Sequence, residues 1–253
     1  LSGATATNTY AYSRGYSYDA WGNLTGVTAS GAGETGTGYS LPYATNASNA
    51  PATNRINYSW SNYDAAGNMG SDGNHTYAYD AANRIKSVDN NKPQEYDGDG
   101  RRVKNDESIS NITLFYLWST VLGQVVADLR SDYVASNAPF RAYVYSPSGS
   151  LLAQQSYDTA FSWLHTDHLG SGHKVTNAAG TVILRDEYDP HGQWVYTWNS
   201  GAGSYYNGRK FTGYERDYGS GTHQAKARQY GQNNGRFLQP DPLGLAASDM
   251  RNP

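Results

Sequence analysis

Apolar residues in this chain come in short alternating runs, and glycine, asparagine, serine or threonine interrupts nearly every window of twelve. No segment keeps the i, i+3, i+4, i+7 spacing of an amphipathic helix, so short strands joined by turns are expected. The most apolar stretch, NITLFYLWSTVLGQVVADL over 111–129, is rich in β-branched and aromatic residues and has Gly123 in its middle. It predicts a strand pair folded about a turn near Gly123 and placed centrally in a sheet. In RIKSV (84–88), strict alternation puts Ile85 and Ser87 on one face and Arg84, Lys86 and Val88 on the other, so the one-sided strand pattern holds only in part. Residues 29–53, dominated by Gly, Ser, Thr, Asn and Ala, read as a long loop or irregular insertion.

A repeated phrase gives a firmer signal than any single strand. YSYDAWGNLTGV, SNYDAAGNMG, YAYDAANRIKSV and QEYDGDGRRVKN place aspartates at 19, 64, 80 and 97. The last two steps suit one hairpin per unit, two strands of about five residues and two turns. An aspartate after the tyrosine can accept hydrogen bonds from backbone N–H groups of an Asx-type turn. A glycine three residues on supplies the positive φ that closes the loop. Asp19 with Gly22, Asp64 with Gly67, Asp97 with Gly100, and Asp80 are therefore expected to be structural turn residues.

Composition narrows the function classes. Only 38% of the 253 residues are hydrophobic and mean hydropathy is −0.72, so the 23 tyrosines and 6 tryptophans are expected to supply much of the apolar burial. The formal net charge of −3 and the lack of a Lys/Arg-rich run argue against a nucleic-acid partner. No apolar run approaches the ~20 residues of a helical membrane span. Cysteine is absent, which removes disulfides, thiolate metal sites and a cysteine nucleophile. The chain opens on Leu1 without a signal-peptide pattern, and the simplest expectation is a segment of a longer precursor.

The second half sharpens the picture. HTDHLGSGHKVTNAAGTVILRDEYDPHGQ (165–193) and FTGYERDYGSGTHQAKARQYGQNNGRFLQPDPLGL (211–245) follow the Tyr-Asp units in order. The ordered set of DHLGS, YDPHG, FTG, GRF and DPLGL resembles YD-repeat (Rhs-repeat) proteins ending in an Rhs repeat-associated core region. The resemblance covers most of the chain from about residue 16. It implies an all-β fold in which consecutive antiparallel hairpins spiral into a sheet or partial hollow shell, as in the B and C components of Tc toxins, Rhs effectors and the adhesive teneurins. It also implies a bacterial, secreted or extracellular protein that encloses a polypeptide payload or mediates surface interaction. The expected division is YD-repeat hairpins over 1–105, a central β segment over 106–160, and the core region, cut short at its C-terminus, over 161–253. One departure is HQAKARQYGQNNGRF (223–237), where relatives often have a paired tyrosine and an Asp-Pro.

Several constellations remain as candidate chemistry. In toxin-associated relatives the core region includes an aspartyl autoprotease whose motif resembles P-x-x-x-x-D-P-x-G-L. Asp241 opens the matching Asp-Pro-Leu-Gly-Leu, but Arg236 stands where the motif wants proline, and relatives usually cleave at a second copy further on. Aspartyl hydrolysis needs two carboxylates sharing a proton, with Asp249 or Asp217 as the conceivable partner. A turn-capping role for Asp241 is the alternative. Glu187 and Asp189, at i, i+2, would stand ~6.5–7 Å apart on one strand face, a spacing compatible with glycoside hydrolysis. His165, His168 and His173 with Asp167, Asp189 and His191 have metal-ligand types, yet i, i+3 spacing on strands does not converge them, and no metal or cofactor is expected. No G-x-S-x-G nucleophile elbow occurs, and the glycines over 31–38 suit flexibility better than a phosphate loop. Trp194 and Trp198 are candidate stacking platforms for glycans. Expected partners are the remainder of the precursor or a payload, with self-association through open sheet edges as a further option.

Overall fold

The computed structural model describes residues 13–31, 38–45, 51–107, 112–132, 139–157, 160–200 and 208–243. Among these the chain is all-β, apart from a single 3-10 turn at Phe211–Gly213. Its spine is a 12-stranded antiparallel sheet in which every strand pairs with its sequence neighbours, from Tyr77–Tyr79 at one edge to Trp194–Asn199 at the other. Three smaller sheets precede it and a four-stranded sheet, Glu215–Arg216 to Arg236–Phe237, follows. The apolar stretch forms the pair Ile112–Ser119 and Gln124–Arg130 near the middle of the long sheet, turning where Gly123 N donates to Ser119 O at 2.9 Å. Within 29–53, where composition alone leaves a loop, Tyr39–Ser40 and Tyr43–Thr45 form short strands. The two tyrosines favour extended backbone despite the polar surroundings.

One turn recurs along the sheet. At Asp64 the chain reverses with Gly67 N on Asp64 O at 3.1 Å and Asp64 N on Asn68 O at 3.0 Å, while Gly67 takes φ 91°. The same backbone bonds recur at Asp19, Asp97, Asp167, Asn177, Asp189 and Ser146. At Asp80 the left-handed position is Asn83, φ 59°, a residue that tolerates this region better than other side chains. Several of these turns are followed by a bulge, the extra residue being Thr25, Lys86, Val103 and Leu152 opposite the register shifts at Ser17/Tyr18, Ala78/Tyr79, Glu95/Tyr96 and Val144/Tyr145. The bulge alters the simple alternation expected of RIKSV. Tyr79 faces Ile85 while Ala78 faces Ser87, so one residue is skipped and Ile85 and Val88, 0% and 1% exposed, both reach the core.

The tyrosine opposite the bulge also links one hairpin to the one before. Tyr79 Oη donates to Met69 O at 2.6 Å, and Tyr96 Oη donates to Ile85 O at 3.0 Å. Both acceptors lie five residues after the aspartate of the preceding unit, so the bond repeats with the sequence. Tyr145 Oη makes the analogous bond to Val125 O at 2.8 Å. Tyrosine suits this place because its ring packs while its hydroxyl reaches a carbonyl beyond the core.

The core itself corrects the expectation from composition. Its buried hydrophobic members are mostly Leu, Ile, Val, Met and Ala, among them Leu24, Val27, Ile56, Met69, Ile85, Val88 and Leu238 in one cluster. Leu114, Tyr116, Val125 and Tyr143 form a second cluster, and Leu164, Val175, Ile183 and Leu184 a third. Tyr63, Tyr77, Tyr79, Tyr143 and Tyr145 line these clusters with their hydroxyls engaged, whereas Trp21, Trp163 and Trp198 stand 40–57% exposed. Aliphatic side chains fill narrow space between hairpins better than an indole, which explains why a modest number of them carries the interior.

Candidate functional site

The turn aspartates are occupied by backbone donors. Asp64 Oδ1 accepts from Asn68 N at 2.9 Å and Oδ2 from the Asn68 amide at 2.8 Å. Asp19 takes Trp21 N and Asn23 N on Oδ1 and the Asn23 amide on Oδ2. Asp80 holds Ala82 N, Arg84 N and Arg84 Nε, and Asp97 holds Asp99 N and Arg101 N. Burial acts to raise the Asp64 pKa, but the Asn68 and backbone donors outweigh it and keep the carboxyl below its ordinary value. Asp19 and Asp80 shift the same way for the same reasons, with Arg84 helping at Asp80. Asn177 and Ser146 play the part of aspartate in two further turns that the Tyr-Asp phrase does not reveal. The broader signal was Asp/Asn/Ser-x-x-Gly.

Asp241 sits at a corner of the fold. Its Oδ1 accepts from Leu243 N at 2.9 Å and its Oδ2 lies 3.0 Å from Arg228 Nη2. Asp249 and the Gly-Leu that completes the motif lie outside the described residues. Asp217 is elsewhere, 2% exposed and engaged by Arg102 Nη1 at 3.1 Å and Gln94 Nε2 at 2.9 Å.

The strand Val182–Tyr188 ends one residue before Asp189, which opens a turn, so the strand alternation that would set Glu187 beside Asp189 does not extend to it. Glu187 is exposed, with its Oε2 3.2 Å from His173 Nδ1. Asp189 is 4% exposed: Oδ1 accepts from His191 N and Gln193 N, and Oδ2 from Arg14 Nη1, all at 2.9 Å. This turn therefore anchors the N-terminal sheet to the long one. His173 also lies 3.3 Å from Asp167, His165 pairs with Thr176 Oγ1, and His168 is exposed. Among the described residues no three His, Asp or Glu side chains converge as a metal site. Trp194 carries Arg216 4.2 Å and Lys210 5.4 Å from its ring centroid, while Trp198 is 40% exposed beside Arg185.

A feature not signalled by motif is the charged seam between residues 208–239 and the long sheet. Besides Asp217 with Arg102, Lys210 Nζ reaches Asp186 at 2.6 Å and Lys92 Nζ reaches Gly219 O at 3.0 Å. Gln229 Nε2 donates to Gln94 Oε1 at 3.0 Å, and Thr212 N to Ser171 Oγ at 3.0 Å. Arg141 pairs with Asp128, which also accepts from Tyr143 Oη, and Arg209 lies 3.7 Å from Glu215. Burial, reinforced by Asp217 and Glu215, pushes Glu107 up to about 7 against the opposing Arg141 and Arg102. Burial lowers His223 to about 4, so this histidine is neutral in the seam near pH 7. Polar groups this deep are costly unless matched, so their pairing fixes where the C-terminal segment lies.

No protein-family model matches the chain. The tRNA3(Ser)-specific nuclease WapA of Bacillus spizizenii is 27% identical over 234 residues, which cover 90% of this chain and 9% of WapA. Among solved structures, a Tc holotoxin pore of Photorhabdus luminescens carrying a TccC3 variant superposes with a TM-score of 0.70 at 20% identity, covering 95% of this chain and 12% of that one. The TcdB2–TccC3 crystal structure gives a TM-score of 0.67 at 20% identity, covering 95% and 13%. The chain thus spans about a tenth of the length of these proteins, and over nearly all its own length it has the hairpin-sheet fold of the Tc toxin structures, so that its resemblance to YD-repeat proteins extends from motif to fold.

Proposed function

We propose that this chain is a structural β-shell module of a larger, delivered or secreted bacterial YD-repeat protein, and that it helps to enclose a polypeptide payload. The observation that carries this reading is the unbroken run of twelve hairpin-paired strands with the C-terminal segment sewn onto it by buried charges. Such a strip grows by adding hairpins, each covering the edge of the last, and suits a wall better than a catalytic pocket. The fold match to Tc toxin structures and the similarity to WapA support the same reading, since both are far longer proteins in which this chain corresponds to one portion.

The test is limited proteolysis of the full-length parent protein. Enclosure predicts that a segment outside this module resists digestion in the intact protein and is digested quickly when expressed without it. Equal digestion rates in the two contexts would remove the enclosure reading and leave surface interaction as the role of the module.

A further inference from the structure

A cleft of about 630 Å³ opens between the N-terminal hairpins and the C-terminal strands. Its lining includes three guanidiniums, Arg55, Arg228 and Arg236, and no carboxylate, in a chain whose net charge is −3. Each guanidinium lies over an aromatic ring: Arg55 5.2 Å from the Tyr63 centroid, Arg228 3.7 Å from Phe237 and Arg236 5.6 Å from Tyr43. Stacking of this kind holds the planar group in place and leaves its N–H edges to meet planar anions.

One of the three shows what such an edge accepts. Arg228 holds the Asp241 carboxylate at 3.0 Å. Arg55 and Arg236 form no ion pair among the described residues; Arg236 bonds the Tyr43 hydroxyl and helps to lower the pKa of Asp19, but its Nη1 has no hydrogen-bond partner. Asn54, on the same lining, accepts from the Asn23 amide and has its own amide donors unpaired among the described residues. Trp21, 57% exposed, and Pro240 add apolar surface at the rim.

We propose that this cleft is a binding site for an acidic, extended polypeptide segment, whose aspartate or glutamate side chains pair with Arg55 and Arg236 while its apolar side chains lie against Trp21. A carboxylate matches a guanidinium edge with two parallel hydrogen bonds. The polypeptide source is favoured because a polypeptide aspartate already occupies the third guanidinium and because rim aromatics and proline suit side chains spaced along a strand. The volume falls within the range of small-ligand clefts and accommodates a few residues. The site stands on its own geometry, whether or not the chain encloses a payload.

Isothermal titration with a capped hexapeptide alternating aspartate and leucine, against its asparagine counterpart, tests the assignment. The aspartate peptide is expected to bind about tenfold more tightly than the asparagine one, with affinity falling as salt rises. Arg55→Gln, at an exposed side chain, is expected to weaken it about fivefold, and Arg55→Gln with Arg236→Gln by more than tenfold. If the double variant fails to fold, Trp21→Ala takes its place, with an expected loss of about threefold. Equal affinity for the two peptides, or unchanged binding in Arg55→Gln, overturns the proposal. Inorganic phosphate or glucuronate that binds more tightly than the aspartate peptide overturns the polypeptide assignment.

Discussion

The long sheet and the C-terminal segment are held by opposite means. In the sheet, bonds are local: Asp64 reaches four residues to Asn68, and Tyr79 reaches ten back to Met69. In the seam they are remote, with Arg102 and Asp217 115 residues apart and Gln94 and Gln229 135 apart. Local bonds repeat with the sequence and each is partly exposed, so losing one disturbs one hairpin. These remote bonds are buried, and Arg102–Asp217 is an ion pair, so losing one partner strands the other out of water. The comparison teaches that this fold adds hairpins cheaply but positions its last segment by a few costly matches.

The largest effect should come from the seam. Asp217→Ala leaves Arg102, 2% exposed, without its partner, and should cost about 3–5 kcal/mol in urea denaturation. A loss below about 1 kcal/mol would erase the contrast between the two regions. In the sheet, Asp64→Ala removes the two side-chain bonds to Asn68 in a partly exposed turn, and about 2 kcal/mol is expected. An effect as large as that of Asp217→Ala would show that the turns, too, carry the whole fold.

Glu107 offers a pH test of the seam. Its folded pKa of about 7 lies above the ordinary 4.5, so between these values the unfolded chain has released the proton that the folded chain keeps. The Glu107 contribution therefore favours the fold below pH ~4.5, declines as pH rises to about 7, and is flat above it. The decline should be on the order of 3 kcal/mol, and Glu107→Gln should remove it from a stability profile measured by urea titration at successive pH values. A profile identical in the variant would contradict the placement of Glu107 against Asp217 and Glu215.

Smaller effects sharpen the local side. Tyr79→Phe keeps the ring and deletes the bond to Met69 O, and about 1 kcal/mol should be lost. Asp241→Ala breaks a partly exposed pair with Arg228 and should change stability by no more than about 0.5 kcal/mol in thermal denaturation.

The same contrast explains what the sequence made legible. Asp19, Asp64, Asp80 and Asp97 could be read as turn residues because the bonds they make fall within four positions, and such geometry leaves a mark at fixed spacing. Ile85 and Val88 misled because a bulge, invisible in residue type, shifts the alternation by one. Glu187 and Asp189 diverge because the strand ends at Tyr188 and Asp189 turns inward to hold the backbone of its own turn. The seam left no mark: Lys92, Gln94, Arg102 and Asp186 look like ordinary polar strand residues until the C-terminal segment is laid over them. Its burial depends on chain reversal over a hundred residues, which no local pattern encodes.

Hydrogen–deuterium exchange resolved along the chain, on the unaltered protein and on Asp217→Ala, tests the central claim most directly. The two-region account predicts that amides of the strands between Glu215 and Phe237 lose protection together in the variant, while those between Arg102 and Tyr188 remain protected. Uniform loss across both regions, or none in the C-terminal strands, would contradict it.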